Sequence, residues 1–137
     1  MDNSIYVLIF LMVLSITLDL NNKATQKCVD KNKRILPLLI LHHILSIFTY
    51  FGWILNDKKF LQIYLFVPPL IGLHWLTNGN CILSEMTNDV CEWRKTKYLN
   101  DLVQQMKLKR KSFMDIIKYH YIILIGGYFI ALYKYFS

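Results

Sequence analysis

The chain has 137 residues, 55% of them hydrophobic, and a mean hydropathy of +0.32 despite 16 Lys+Arg and 9 Asp+Glu. Charge and apolarity must therefore be segregated along it, which excludes intrinsic disorder, a collagen-like repeat and an ordinary soluble domain. Three cysteines without paired spacing exclude a disulfide-framework fold, and the length allows at most one compact domain.

Residues 5–18 carry no charge, and Asp19 closes the run. No basic segment precedes it and no small-residue cleavage site follows, so it reads as a retained helix over 4–20 rather than a signal peptide. Residues 21–34 then hold five basic residues, and Cys28 among them reads as a reduced thiol. A second uncharged block predicts a span over 35–55. After Lys58 and Lys59 a third runs over 60–79, with Pro68-Pro69 inside it predicting a kink. Gly79 predicts a break, and Ser84 followed by Glu85 reads as the N-cap of a further helix. The fourth span is expected over 116–135, between Lys118 and Lys134 at its margins. A bilayer core of about 30 Å needs roughly 20 helical residues, and interfacial Tyr, Lys and Asp extend the shorter blocks. The expected fold class is all-α, an integral membrane bundle of four transmembrane helices with an amphipathic helical loop.

Thirteen of the sixteen Lys and Arg fall in 21–34 and 84–118. The positive-inside rule then puts the loops 21–34 and 84–115 in the cytoplasm and both termini outside or lumenal. Tyr6, Trp53, Phe60, Tyr64, Tyr133 and Tyr135 fall at the expected outer ends, as an aromatic belt would. In the long loop, Met86, Val90 and Trp93 share one helical face. Leu99, Leu102, Val103 and Met106 form a second apolar stripe beside Lys107, Lys109, Arg110 and Lys111. Such a segment lies on anionic lipid headgroups, so the bilayer and its acidic lipids are the expected partners. Nucleic acid is disfavoured because no binding motif accompanies the charge.

Polar groups inside the spans mark candidate sites. Helical rise places His42 about 10 Å in from the basic side, and His74 and His120 about 6 Å in. His43 projects about 100° away from His42. Cys81 and Glu85 join this group near the end of the third span. His and Cys suit a transition metal, with Glu85 as an oxygen ligand, and two facing histidines can hold a haem iron. No HExxH, CxxC or CxxCH motif supports either cofactor, and the alternative is that the imidazoles bond neighbouring helices.

His42 with Gly52, Cys81-Ile82-Leu83-Ser84 with Asn88, and His120-Tyr121 together resemble a family of small bacterial four-helix membrane proteins of unknown function. That family shows His then Gly ten residues on, a Cys-Pro-Leu-Thr turn leading to Glu-Asn, and a late His-Tyr pair. Ile82 and Glu85 stand in place of its prolines, and Thr87 in place of its glutamate. The resemblance implies the four-helix architecture and highlights His42, Cys81 and His120, without implying a reaction. Thirteen Lys to three Arg and only two Ala give the composition of AT-rich genomes, large DNA viruses among them. The expectation is a non-enzymatic membrane component with a polar His/Cys cluster. The alternatives are a haem- or metal-binding redox protein and a homo-oligomeric pore.

Overall fold

The computed structural model describes residues 3–78, 81–93 and 113–137, of which 113–119 are described by backbone alone. Among the described residues the chain is entirely helical: α1 (Asn3–Leu20), α2 (Lys23–Lys31), α3 (Ile35–Phe51) extended by a 3₁₀ turn (Gly52–Ile54), α4 (Lys58–Asn78), α5 (Ile82–Val90) and α6 (Phe113–Phe136). Three segments among the described residues are long and apolar enough to cross a membrane: α1, Ile35–Ile54 and α4. The expected fourth span falls on α6, a helix of 24 residues. The apolar stripe at Leu99–Met106 and the basic residues Lys107, Lys109, Arg110 and Lys111 lie outside the described residues.

Short polar caps fix where the helices begin. Asn22 Oδ1 accepts the Ala24 N–H at 2.9 Å and opens α2 inside a segment expected to be only a loop. Asp57 Oδ1 accepts the Lys59 and Phe60 N–H groups at 2.8 and 3.3 Å, starting α4 two residues ahead of the expected span. The helix continues through Pro68 and Pro69 to Asn78. Cys81, not Ser84, is the N-cap of α5, and its carbonyl accepts the Glu85 N–H at 3.0 Å. At the other end Glu92 adopts φ 55°, with the Trp93 N–H on the Asn88 carbonyl at 2.8 Å and the Glu92 N–H on Asp89 at 3.3 Å. That is a Schellman ending with glutamate where glycine is usual.

The reason a glutamate serves there is across the chain. Lys31 at the end of α2 donates to Glu92 at 2.9 Å, and beside it Cys28 is joined to Cys91 in a disulfide. Cys28 is thus not the isolated thiol expected from sequence, because folding brings the α2 and α5 connections together. Lys31 holds the Glu92 carboxyl below its ordinary range through that hydrogen bond and its charge. A depressed carboxyl stabilises the fold at neutral pH, and that contribution is lost as pH falls through its lowered pKa. Both side chains are largely exposed, so the effect is small. Thermal midpoints measured from pH 7 downwards should show a slightly shallower acid decline in Glu92→Gln than in the natural chain.

α6 runs along α4 and α1 along α3, while α5 packs on α3. One core cluster joins Leu8, Ile47, Leu55, Leu61, Tyr64 and Ala131; a second, on the side of the basic connections, joins Cys28, Ile35 and Leu39 under Trp93. Tyr64, expected at an interface, is fully buried, and its hydroxyl donates to the Thr49 carbonyl at 3.2 Å. Trp93 lies beyond α5 and packs inward, whereas Ile82, Met86 and Val90 are exposed along α5 and Thr87 and Asn88 are buried. Lys134 of α6 donates to the Trp53 and Ile54 carbonyls at 3.2 and 3.1 Å and to Asn56 Oδ1 at 3.0 Å. Its ammonium thereby serves the orphan acceptors where α3 ends.

Adjacent glycines in α6 have opposite roles. A Cβ on Gly127 would collide with the Trp53 ring and lie 3.0 Å from the Tyr64 hydroxyl, whereas a Cβ on Gly126 meets nothing within 4 Å. Gly127→Ala should destabilise by about 1–3 kcal/mol through overpacking. Gly126→Ala should stabilise by up to about 1 kcal/mol through helix propensity. Thermal unfolding of the two variants in detergent reads both signs.

Candidate functional site: a buried polar relay

The three buried polar residues of α1 are Ser4, Ser15 and Asp19, while Phe10, Val13, Leu14 and Leu18 are exposed. This inverts the pattern of a water-soluble helix. Ser15 and Asp19 are four residues apart, so both fall on the face turned towards α3. There His43 is clamped between them: Nε2 lies 2.8 Å from Asp19 Oδ2 and Nδ1 lies 2.9 Å from Ser15 Oγ. Thr25 of α2 donates its hydroxyl to the other carboxylate oxygen, Asp19 Oδ1, at 2.9 Å. All four side chains are buried, Asp19 and Thr25 at 1% exposure.

The bonding directions follow from chemistry. With Asp19 as carboxylate it only accepts, from Nε2–H of His43 and from Thr25. A neutral His43 then offers Nδ1 as acceptor for the Ser15 hydroxyl. The resulting order, Ser–His–Asp, polarises a serine hydroxyl as nucleophilic triads do. However, Ser15, His43 and Asp19 line neither the cavity beside α2 nor the small one beside His42. What the relay does join is three elements: the end of α1, the start of α2 and the middle of α3.

The residues singled out from sequence divide among other places. His42 and His43 do face different ways, their rings edge-on at 5.6 Å. His42 lines a cavity of about 20 Å³ with Ser46, Tyr50, Trp75 and Cys81, room for about one water molecule. His120 adjoins this group: its Nδ1 is 2.6 Å from the Tyr50 hydroxyl, and its ring meets Trp75 edge-on at 5.9 Å. His74 instead accepts a hydrogen bond from Asn78 Nδ2 at 2.9 Å on its own helix. Glu85 is half-buried on α5, and Cys81 is a free thiol. Among the described residues no three His, Cys, Asp or Glu side chains are placed to hold one metal ion. The set therefore divides: His42 and Cys81 share the small cavity, whose Tyr50 and Trp75 contact His120, whereas His74 bonds Asn78 on its own helix and Glu85 sits on α5.

Sequence reasoning placed Asp19 only as the end of an apolar run and set His43 aside. The usable signal was the Ser15–Asp19 spacing, which aligns two polar groups inside a span facing a histidine doublet. Compared with protein-family models, curated proteins and solved structures, the chain matches none.

Proposed function

We propose that the chain is a multi-pass integral membrane protein with four crossing helices, α6 being the fourth, and that it serves as a non-enzymatic membrane component. The observation carrying this is the inverted burial. α1 turns Ser15 and Asp19 inward, while Phe66, Leu70, Leu73 and Leu76 of α4 and Ile122, Ile125 and Phe129 of α6 face outward. Apolar surface on that scale needs a lipid solvent, and ionisable groups in lipid-spanning helices face the bundle interior. The relay Ser15–His43–Asp19–Thr25 then fixes α1, α2 and α3 as one unit and presents the joined α2 and α5 connections at the membrane surface. The late His-Tyr and Cys-x-Leu-Ser elements, which resemble those of the four-helix family, fit this architecture.

The basic bias puts the α2 and α5 connections in the cytoplasm and the termini outside or in a lumen. A second reading rests on the Cys28–Cys91 pair, because structural disulfides persist in oxidising compartments. It places the same face outside. Extraction of membranes with alkaline carbonate tests the first proposal: the chain should stay in the pellet, and release to the supernatant would refute membrane integration. Labelling of intact cells with an impermeant maleimide, with and without prior reductant, tests orientation. Labelling of Cys28 and Cys91 only after permeabilisation supports a cytoplasmic face.

A further inference from the structure

We propose that the open cavity between α2 and the turn after α5 binds the phosphate headgroup of an anionic lipid. The cavity measures about 460 Å³ and is lined by Lys23, Lys27 and Lys31, the Cys28–Cys91 bridge and Trp93. The three lysines are spaced i, i+4, i+8, so α2 presents them on one side. Lys31 is matched by Glu92, which leaves Lys23 and Lys27 without an acid partner among the described residues. The bridge and the Trp93 ring add apolar lining beside the lysines. Apolar lining next to uncompensated cations suits an anionic amphiphile better than a bare ion.

Position supplies the second argument, and it rests on the membrane reading above. α2 begins three residues after α1 ends, and Thr25 is bonded to Asp19 of α1. Cys28 packs with Ile35 and Leu39 in the first turns of α3. α2 therefore folds back beside helix ends rather than projecting into water, which is the depth of the headgroup layer. There each Lys strengthens the attraction to anionic lipid about fivefold.

The test uses the full-length protein, purified in mild detergent and titrated with phosphatidylglycerol, phosphatidylcholine or inorganic phosphate, with bound molecules counted by native mass spectrometry. Phosphatidylglycerol should be retained over phosphatidylcholine, and inorganic phosphate in millimolar excess should not displace it. The double variant Lys23→Ala/Lys27→Ala should weaken retention roughly thirtyfold. The variant Lys58→Ala/Lys59→Ala, at the far end of the bundle, should leave it unchanged. Equal retention of the two lipids, or a Lys23→Ala/Lys27→Ala variant that binds like the natural chain, would overturn the headgroup site. Displacement by inorganic phosphate would assign the cavity to free phosphate esters and overturn the lipid assignment. Carbonate extraction separates the two levels: a chain that stays in the membrane yet shows no lipid preference sinks this site alone.

Discussion

His43→Ala should lower stability by about 3–5 kcal/mol, because it leaves the Asp19 carboxylate buried without its imidazole partner. Thermal unfolding in detergent measures this. Ser15→Ala and Thr25→Ala should each cost far less, about 0.6 kcal/mol, the average for a hydrogen bond between membrane helices. The difference arises because a neutral hydroxyl finds other partners when helices separate, whereas an unpaired buried charge does not. Replacing both partners outright gives the contrasting result. Asp19→Leu with His43→Leu should cost far less than His43→Ala, since it removes the buried carboxylate together with its partner. A double-mutant cycle over Asp19 and His43 should therefore show a large coupling, and additive single effects would refute the relay.

The second large effect concerns the Cys28–Cys91 bridge. It joins residues 63 apart in sequence, and closing a loop of that length restricts the unfolded chain by about 4 kcal/mol in the chain-entropy description. Cys28→Ala/Cys91→Ala should lose most of that amount relative to the oxidised protein. Relative to the reduced protein the double variant should differ little, which a pair of melting curves with and without reductant would check. Trp93 and the Lys31–Glu92 pair hold the same junction, so reduction should leave α2 near α5 rather than release it.

Much of the architecture was legible in the sequence, for a physical reason. A helix able to cross a membrane has to be apolar over some twenty residues whatever its neighbours do, so Asn3–Leu20, Ile35–Ile54 and Lys58–Asn78, which are long and apolar enough to do so, can be read locally. α4 ends at Asn78, next to the glycine from which the sequence predicts a break. Short helices were less legible. α2 depends on the Asn22 cap and on burying Thr25 and Cys28, and its lysine-rich composition looks like an exposed loop. The start of α5 moved from Ser84 to Cys81 because a backbone carbonyl accepts the first helical bond, and this requires no capping side chain.

The candidate site was only half legible. Sequence places polar groups at depths within spans, and it correctly separated His42 from His43 by their angle around one helix. It does not state which helix each face meets. Packing α1 against α3 selected His43 for Asp19 and Ser15, left His42 beside Cys81, and gave His120 to Tyr50. The sequence by itself determined the segregation of charge from apolar blocks and the helical class, because both follow from local solvent preference. Only the tertiary structure decided the relay, the Cys28–Cys91 pair and the cationic cavity, because each joins residues whose proximity depends on how the helices pack.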